Sequence, residues 1–308
     1  MTETAIRTWD LSKSYGETRA VNHLTLTVPR GSIYGFLGRN GAGKTCTIKM
    51  LLGLARPSSG SAHIFGMDTV LDRSAILRRT AFVSEKKALY QSLTASEMVR
   101  FSRGFYPTWR QDAVERYANL FEIPMNKRFE TLSNGNQTKL WLLLALCQGA
   151  DLLVLDEPTT ALDPITVDQL MRVLAEETLD RGTTVFFSSH QLEEVERIVE
   201  YVGFMEGGRL LLESRLDDIK SEFRMITATG APLPEKLLPV VLSVEIDSDC
   251  RRYVVTRDAE NFAAALSQNG AAVVSVVPLS LREIFLRVVR KEQPCTSGSA
   301  GATPDRSC

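Results

Sequence analysis

Residues 38–45 read Gly38-Arg39-Asn40-Gly41-Ala42-Gly43-Lys44-Thr45. This stretch has the spacing G-x-x-x-x-G-K-[ST] of a phosphate-binding loop, in which glycines let backbone N–H groups converge on phosphates. A helix predicted over residues 46–55 follows and directs its positive end at the same place. Lys44 is expected to reach the β- and γ-phosphates, and the Thr45 hydroxyl to bind Mg²⁺. A buried strand predicted at residues 33–37 argues against the alternative, a glycine-rich turn without a ligand.

A second polar feature follows a short apolar segment, Leu152-Leu153-Val154-Leu155. Four consecutive apolar residues predict a buried central strand, so Asp156 and Glu157 would emerge at its carboxyl end, where open α/β sheets bind their ligands. Asp156 is then placed to hold Mg²⁺, and Glu157 to accept a proton from an attacking water. The alternative is that one of the two acids caps the next helix.

The composition is that of an ordinary globular protein and excludes several classes. Of the 308 residues, 44% are apolar and 24% are charged, which argues against a disordered or fibrous chain. Lys and Arg (36) nearly balance Asp and Glu (37), so bulk charge predicts no nucleic-acid partner and no attraction to an anionic membrane. Five scattered cysteines without a C-x-x-C pair favour a reducing compartment.

The sequence also predicts that the chain does not enter a membrane by itself. Its first residues lack the basic and then apolar pattern of a signal peptide. The longest apolar run, residues 140–147, is far shorter than the roughly 18 residues that a spanning helix needs. We therefore expect any work at a membrane to require a partner.

The order of elements predicts an α/β protein with a mainly parallel sheet. Buried strands at residues 152–155 and 184–187 are separated by a helix over residues 164–180, which is the rhythm of parallel sheets. Short β-like stretches fill the first 35 or so residues, and residues 87–150 are helical in character.

The pattern resets after residue 210. We therefore expect a nucleotide-binding domain over residues 1–210 and a small accessory α/β domain over residues 211–292, formed by short β-rich runs around two helices. Residues 293–308 are rich in Ser, Gly, Thr and Pro and are predicted to be a disordered tail.

Further motifs accompany the phosphate loop and the acidic pair in a fixed order. Ala161-Leu162-Asp163-Pro164 comes shortly after the acidic pair, Phe187-Ser188-Ser189-His190 follows, and Tyr15 precedes the loop. With these motifs, residues 5–210 resemble the nucleotide-binding subunit of an ATP-binding cassette (ABC) transporter. The resemblance implies a P-loop NTPase with a RecA-like core, an N-terminal antiparallel β portion and a helical insert. Taken alone, a histidine such as His190 more often has a structural role.

Two motifs depart from the commonest family pattern. The signature, usually Leu-Ser-Gly-Gly-Gln, reads Leu132-Ser133-Asn134-Gly135-Asn136 here. Ser133 and Gly135 are retained, so the following helix can still address a γ-phosphate, which in the family belongs to the opposite subunit. The alternative is that Ser133 only caps that helix. Where the family usually has glutamine, this chain has Glu85, which can bind Mg²⁺ or a water but adds negative charge beside the phosphates.

The resemblance also implies the residue roles, with ATP and Mg²⁺ as the ligands. Lys44, Glu157 and His190 are the expected catalytic residues, and Thr45, Asp156 and Glu85 are the expected metal contacts. The expected nucleotide contacts are Tyr15, whose ring would stack on adenine, and Gly38, Asn40, Gly41, Gly43, Lys44, Thr45, Cys46, Glu85, Ser133, Gly135 and Asp163.

The function implied by this resemblance is an ATPase that powers transport, most simply export, through a separate membrane-spanning permease. Glu85 and the altered signature resemble the subgroup that works with ABC-2-type membrane subunits, and residues 89–109 resemble antibiotic and bacteriocin exporters. Two identical cassettes would meet face to face on the cytoplasmic side of the membrane, and residues 86–109 would dock on the permease. The alternatives are an importer subunit and a soluble ABC ATPase that acts on ribosomes or DNA.

Overall fold

The computed structural model describes residues 3–85, 90–230, 235–247, 250–256 and 258–292. These residues divide into two compact units, with unit 1 ending at Ser221 and unit 2 beginning at Glu222. The division falls later than the predicted boundary at 210/211, because the strand Arg209–Arg215 pairs with the strand Tyr201–Glu206 of unit 1. The predicted tail, 293–308, lies outside the described residues.

The described residues form fifteen strands and ten α-helices. The strands are β1 (Thr4–Tyr15), β2 (Thr18–Leu24), β3 (Thr27–Pro29), β4 (Ile33–Gly38), β5 (Ser59–Ile64), β6 (Met67–Asp68), β7 (Thr80–Val83), β8 (Leu152–Asp156), β9 (Thr184–Ser189), β10 (Tyr201–Glu206), β11 (Arg209–Arg215), β12 (Arg224–Gly230), β13 (Val241–Asp247), β14 (Cys250–Val255) and β15 (Ala271–Pro278). The helices are α1 (Lys44–Leu51), α2 (Arg73–Arg78), α3 (Ala95–Arg103), α4 (Gln111–Leu120), α5 (Asn134–Cys147), α6 (Pro164–Arg181), α7 (Leu192–Val195), α8 (Leu216–Glu222), α9 (Ala259–Gln268) and α10 (Leu281–Glu292).

The main sheet of unit 1 has the strand order β11-β10-β4-β9-β8-β7. All neighbours in it are parallel except β10 and β11. Strands β4, β8 and β9 are buried along their whole length, which is why their sequences are nearly continuous apolar runs. The mainly parallel α/β sheet predicted from the sequence is confirmed. Its carboxyl edge brings the ends of β4, β8 and β9 together.

A second, antiparallel sheet lies at the start of the chain, with the order β2-β1-β5-β6 and β3 paired to β1. Its buried residues, among them Ile6 and Ile64, belong to the same apolar cluster as Phe36 and Phe186 of the main sheet. The two sheets therefore share one core, in agreement with the antiparallel β portion implied by the family resemblance.

The helical insert contains α3, α4 and α5. Helix α3 begins at a capping box, in which the Thr94 side chain accepts from the Glu97 backbone N–H and Glu97 accepts in return. Helix α5 is buried on most of its faces, because eight of its 14 residues are in the core. Its second half, residues 140–147, is apolar throughout, and a helical segment of this kind is held by packing from several sides.

Unit 2 is an antiparallel sheet of order β13-β14-β12-β15 with α9 packed against it. Phe262 and Leu266 of α9 join Ile226 and Tyr253 of the sheet in one apolar cluster. The predicted accessory α/β elements are therefore present. Across the part of the chain that the structure describes, no helix is both long and apolar enough to span a membrane.

Candidate nucleotide site

The phosphate loop joins the carboxyl end of β4 to the first turn of α1. Two of its glycines are required by geometry. A Cβ on Gly38 would lie 2.3 Å from the Met205 carbonyl oxygen, and a Cβ on Gly43 would lie 2.4 Å from that of Ala20. Gly43 also has φ +110°, a backbone region that favours glycine. Because α1 begins at Lys44, two residues earlier than predicted, its first N–H groups face the loop.

Lys44 is almost fully buried, with 6% of its side chain exposed. Its Nζ donates to the carbonyl oxygen of Gly38 at 2.8 Å and to that of Arg39 at 3.3 Å. It also lies 3.0 Å from the Glu157 Oε1. The ammonium is therefore held over the loop by two carbonyls and one carboxylate, so a phosphate in the loop would be a further acceptor for the same charge.

Asp156 ends β8 and is fully buried. One carboxylate oxygen, Oδ1, accepts from the Ser188 hydroxyl at 2.6 Å, which joins the ends of β8 and β9. The other, Oδ2, is buried and has no hydrogen-bond partner among the described residues. A buried carboxylate oxygen without a donor is costly unless a cation offsets its charge. Asp156 thus fits the role of metal ligand predicted for it.

Glu157 connects Lys44 with His190. Its Oε2 is 2.7 Å from the His190 Nδ1 and also accepts, at 3.4 Å, from the His190 backbone N–H. The Glu157 backbone has φ +52°, and its N–H donates to the Ser188 carbonyl oxygen at 3.2 Å. The strained turn aims the carboxylate at the phosphate loop, as a general base for a water near the phosphates requires.

Two neighbouring cavities meet at Glu157. The first, of about 460 Å³, is the phosphate cavity, and its walls are Ala20, Arg39, Asn40, Gly41, Ala42, Gly43, Lys44, Thr45, Cys46, Glu85 and Glu157. The second, of about 380 Å³, is lined by Val83, Ser84, Glu85, Asn134, Gln137, Thr138, Glu157, Pro158, Thr160 and Ala161. Glu85 is exposed and borders both cavities, and its contact with the metal and the nucleotide stays a prediction.

Known proteins match this chain in sequence and in fold. The family model described as "ABC transporter" matches residues 21–160, and a model described as an AAA domain (putative AbiEii toxin, Type IV TA system) matches residues 128–196. The bacitracin transport ATP-binding protein BcrA of Bacillus licheniformis is 39% identical over 72% of this chain and 73% of its own length. The chain belongs to the ABC transporter ATP-binding family.

A second relative and a solved structure extend the match. The daunorubicin/doxorubicin resistance ATP-binding protein DrrA of Streptomyces peucetius is 34% identical over 92% of this chain and 91% of its own length. The structure described as the dimeric structure of MJ0796, a bacterial ABC transporter cassette, has a TM-score of 0.63 at 24% identity and covers 68% of this chain and 98% of that one. This ABC chain is therefore an ATPase that couples ATP hydrolysis to transport.

The signature residues of this ABC subunit lie apart from its phosphate cavity. Ser133 caps α5, and its Oγ accepts from the Asn136 backbone N–H at 3.3 Å. Gly135 packs on the turn after Glu157, since a Cβ there would lie 2.9 Å from the Ala161 carbonyl oxygen. Neither residue lines the phosphate cavity. Both the capping role and a role toward a second molecule therefore remain compatible with the position of Ser133.

Asp163 is the N-cap of α6. Its Oδ1 accepts from the Thr166 backbone N–H at 3.0 Å and its Oδ2 from the Thr166 hydroxyl at 2.7 Å. These hydrogen bonds lower the pKa of Asp163 to about 2. The carboxylate does not line the phosphate cavity, so its predicted nucleotide contact stays a prediction.

Tyr15 is exposed at the end of β1, close to the loop. The Cys46 thiol raises the pKa of Tyr15 above its ordinary value, and the Lys13 Nζ lies 4.9 Å from the Tyr15 ring centroid. Cys46, one of the expected nucleotide contacts, is half-buried and forms part of the cavity wall. Its position on the first turn of α1, beside the open loop, places it there.

The sequence interpretation missed the role of Ser188. It was quoted only as part of the segment before His190, yet its hydroxyl orients Asp156. Asp156 and Ser188 each follow an apolar run on a predicted strand. Because neighbouring parallel strands end at one edge of a sheet, this pattern could have predicted that the two side chains meet. The second cavity was also missed, since it joins α5 to the end of β7 and the turn after β8.

Proposed function

We propose that this chain is the ATPase of an exporter, working as a face-to-face homodimer on a separate permease at the cytoplasmic side of the membrane. The observation that carries the proposal is the separation of two half-sites. Lys44 and Glu157 line the phosphate cavity, whereas Ser133 and Gly135 stand outside it at the start of another helix. Two copies related by a two-fold axis would place the signature of each opposite the phosphate loop of the other.

The oxygen ligands in the wall of the phosphate cavity and beside it, at the end of β8, fit Mg²⁺. Asp156 offers a buried carboxylate oxygen without a donor, and Thr45 offers a hydroxyl in the cavity wall. Hydroxyl and carboxylate oxygens, together with phosphates, are the ligands that Mg²⁺ takes in nucleotide sites. When bound, the ion would neutralise charge on the transferred phosphate. Glu85 would add a second carboxylate at the mouth of the site.

The mechanism proposed for hydrolysis uses contacts already present in the chain. Lys44 would bind the β- and γ-phosphates in place of its contact with Glu157. The freed carboxylate would accept a proton from the attacking water, while His190, 2.7 Å from Glu157, would keep the carboxylate oriented and contact the γ-phosphate. The Asp156–Ser188 hydrogen bond would hold the metal ligand in place.

An exposed aromatic cluster in the helical insert supports docking on a permease. Phe101 contacts Tyr90 at a ring-centroid distance of 5.1 Å and Phe105 at 5.0 Å. All three side chains are exposed. Exposed apolar clusters of this kind mark protein interfaces. Residues 86–89, the start of the predicted docking segment, lie outside the described residues.

Export is favoured over import by the relatives. One relative is a bacitracin transport protein, and another is a daunorubicin/doxorubicin resistance protein. The match to the second extends over nearly the whole of this chain, including unit 2. Import would need the same ATP chemistry, so the site itself does not distinguish the two directions. A soluble ABC ATPase is the remaining alternative.

Co-purification from native membranes tests this proposal. Tagged wild-type protein and Glu157→Gln, each with ATP, would be extracted in mild detergent and their partners identified by mass spectrometry. We expect one polytopic membrane protein in stoichiometric amount, recovered better with Glu157→Gln because the ATP-bound dimer persists. Recovery of a substrate-binding protein with that permease would favour import. Recovery of ribosomes or DNA with no membrane protein would overturn the proposal.

A further inference from the structure

A buried carboxylate on helix α6 connects that helix to the helical insert. Glu177, on α6, has only 8% of its side chain exposed. Its Oε1 accepts from the Arg110 guanidinium at 2.6 Å and from the Tyr117 hydroxyl at 2.7 Å. Arg110 stands immediately before α4 and Tyr117 lies within it. Two charged or polar donors of the insert thus meet one acceptor of α6.

The same carboxylate is satisfied from its own helix as well. The Arg181 Nε lies 3.3 Å from the Glu177 Oε2, one helical turn along α6. Burial, together with the hydrogen bond to Glu177, raises the pKa of Tyr117 well above its ordinary value, so its hydroxyl remains a donor at physiological pH. A buried carboxylate with donors on both oxygens is held in one geometry.

The segment before α4 is also attached to the end of α5. The Arg110 backbone N–H donates to the Cys147 carbonyl oxygen at 2.8 Å, and the Thr108 hydroxyl donates to that of Gln148 at 2.7 Å. Gly149 fits closely here, since a Cβ on it would lie 2.3 Å from the Thr108 carbonyl oxygen. Through Arg110, the carboxyl end of α5 is therefore tied to Glu177.

Helix α5 carries this attachment to the signature. It has 14 residues from Asn134 to Cys147, which is about 20 Å at 1.5 Å per residue. Its amino end follows Ser133 directly. Near that end, the Lys139 Nζ lies 3.7 Å from the Asp163 Oδ2, but this ion pair is weak because the Asp163 side chain is 53% exposed. Of these two ion pairs, the buried attachment at the far end of α5 is therefore the stronger.

We propose that Glu177 is a positioning residue for the signature: by holding Arg110 and Tyr117, it sets the direction of α5 and hence the place where Ser133 and Gly135 meet the nucleotide of a second subunit. This inference rests on the proposed role of the signature across the dimer. Glu177 touches neither cavity at the nucleotide site, so its effect would appear in dimer formation and turnover rather than in nucleotide binding by one subunit.

The neighbouring residue provides a matched control. Glu176 pairs with Arg116, so it joins α6 to α4 as Glu177 does, but the Glu176 side chain is 49% exposed and that of Arg116 53%. Exposed pairs of this kind contribute little. Glu177→Gln and Glu176→Gln each remove one negative charge from neighbouring positions of α6. Only Glu177→Gln changes the buried attachment.

The experiment measures three quantities in both variants. ADP affinity, by calorimetry, reports the phosphate loop alone. ATP-dependent dimerisation is measured by sedimentation in a Glu157→Gln background, and kcat and KM for ATP are measured without that background. For Glu177→Gln we expect the dimerisation constant and kcat to fall by about ten- to a hundredfold, because small misplacements of catalytic groups cause losses of this size. ADP affinity should stay within about twofold of the wild-type value. Glu176→Gln should match the wild type in all three.

Equal dimerisation and kcat in the two variants would overturn the inference. So would an ADP affinity that falls in step with dimerisation, because that is the result of general damage to the fold. If Glu177→Gln does not fold, Arg110→Gln decides the question, since Arg181 still faces the carboxylate. Arg110→Gln with wild-type dimerisation would overturn the inference. Ser133→Ala separates the proposed role of the signature from the inference about Glu177. Wild-type turnover in Ser133→Ala would contradict the role of the signature itself. Reduced turnover in Ser133→Ala, with wild-type turnover in Glu177→Gln, would contradict only the inference about Glu177.

Discussion

The phosphate loop and the signature are both glycine-containing segments that lead into a helix, but the two helices begin differently. Helix α1 starts after Gly43 without a side-chain cap, so its first N–H groups are available to an anion. Helix α5 starts after Ser133, whose hydroxyl already accepts from the Asn136 N–H. The first segment is a complete anion site in one chain, whereas the second is a capped helix end that needs a group from elsewhere. This contrast is the reason for proposing a dimer.

The largest effect is expected at the phosphate-loop half of the site, which is complete within one chain. Glu157→Gln keeps the shape of the side chain but removes the general base, so steady-state phosphate release should fall by about 10²- to 10⁴-fold. ATP binding should not weaken, because Lys44 loses the carboxylate that competes for it. Glu200→Gln, at an exposed glutamate before β10, is the control. Turnover of Glu157→Gln within tenfold of the wild type would remove Glu157 from the role of base.

An intermediate effect is expected at the signature. Ser133→Ala removes both the cap and the hydroxyl proposed to face a second subunit. The cap alone is worth about 1 kcal/mol of stability. If Ser133 also acts across the dimer, turnover should fall about tenfold, because the variant loses a hydrogen bond to a charged group. ADP affinity should not change.

Thr94→Ala is the matched control for that variant, since Thr94 caps α3 in the same insert. It should lose similar stability in urea unfolding and keep its turnover. If both variants lose turnover to the same extent, Ser133 is only a cap, and the contrast between the two helix ends no longer argues for a dimer.

The smallest effect concerns Asp163, the N-cap of α6. Hydrogen bonds from Thr166 lower its pKa from 3.8 to about 2. A carboxylate with a lowered folded-state pKa contributes stability that is present above its unfolded pKa and is lost as pH falls through its folded pKa. Asp163→Asn should therefore unfold at a lower urea concentration than the wild type at pH 6, and this difference should shrink between about pH 4 and pH 2. A constant difference would mean that the charge of Asp163 does not stabilise α6.

The local parts of the site could be predicted from the sequence because each depends on contiguous residues. In the phosphate loop, glycines, a lysine and a hydroxyl within eight positions define the chemistry before any folding is considered. Asp156 and Glu157 follow an apolar run that can only be a buried strand or helix, and the structure shows the strand. The start of α1 at Lys44 was less predictable, since helix ends depend on the backbone conformation of a single residue, here Gly43.

The sequence by itself determined the α/β class, the phosphate loop, the acidic pair and the family resemblance, because these follow from residue types at short, regular spacing. Only the tertiary structure decided that Ser188 holds Asp156, that Glu157 lies between Lys44 and His190, and that Glu177 receives Arg110. These partners are far apart in the chain and meet only through strand register and helix packing. Such contacts depend on the geometry of the whole core, which no short segment of sequence contains.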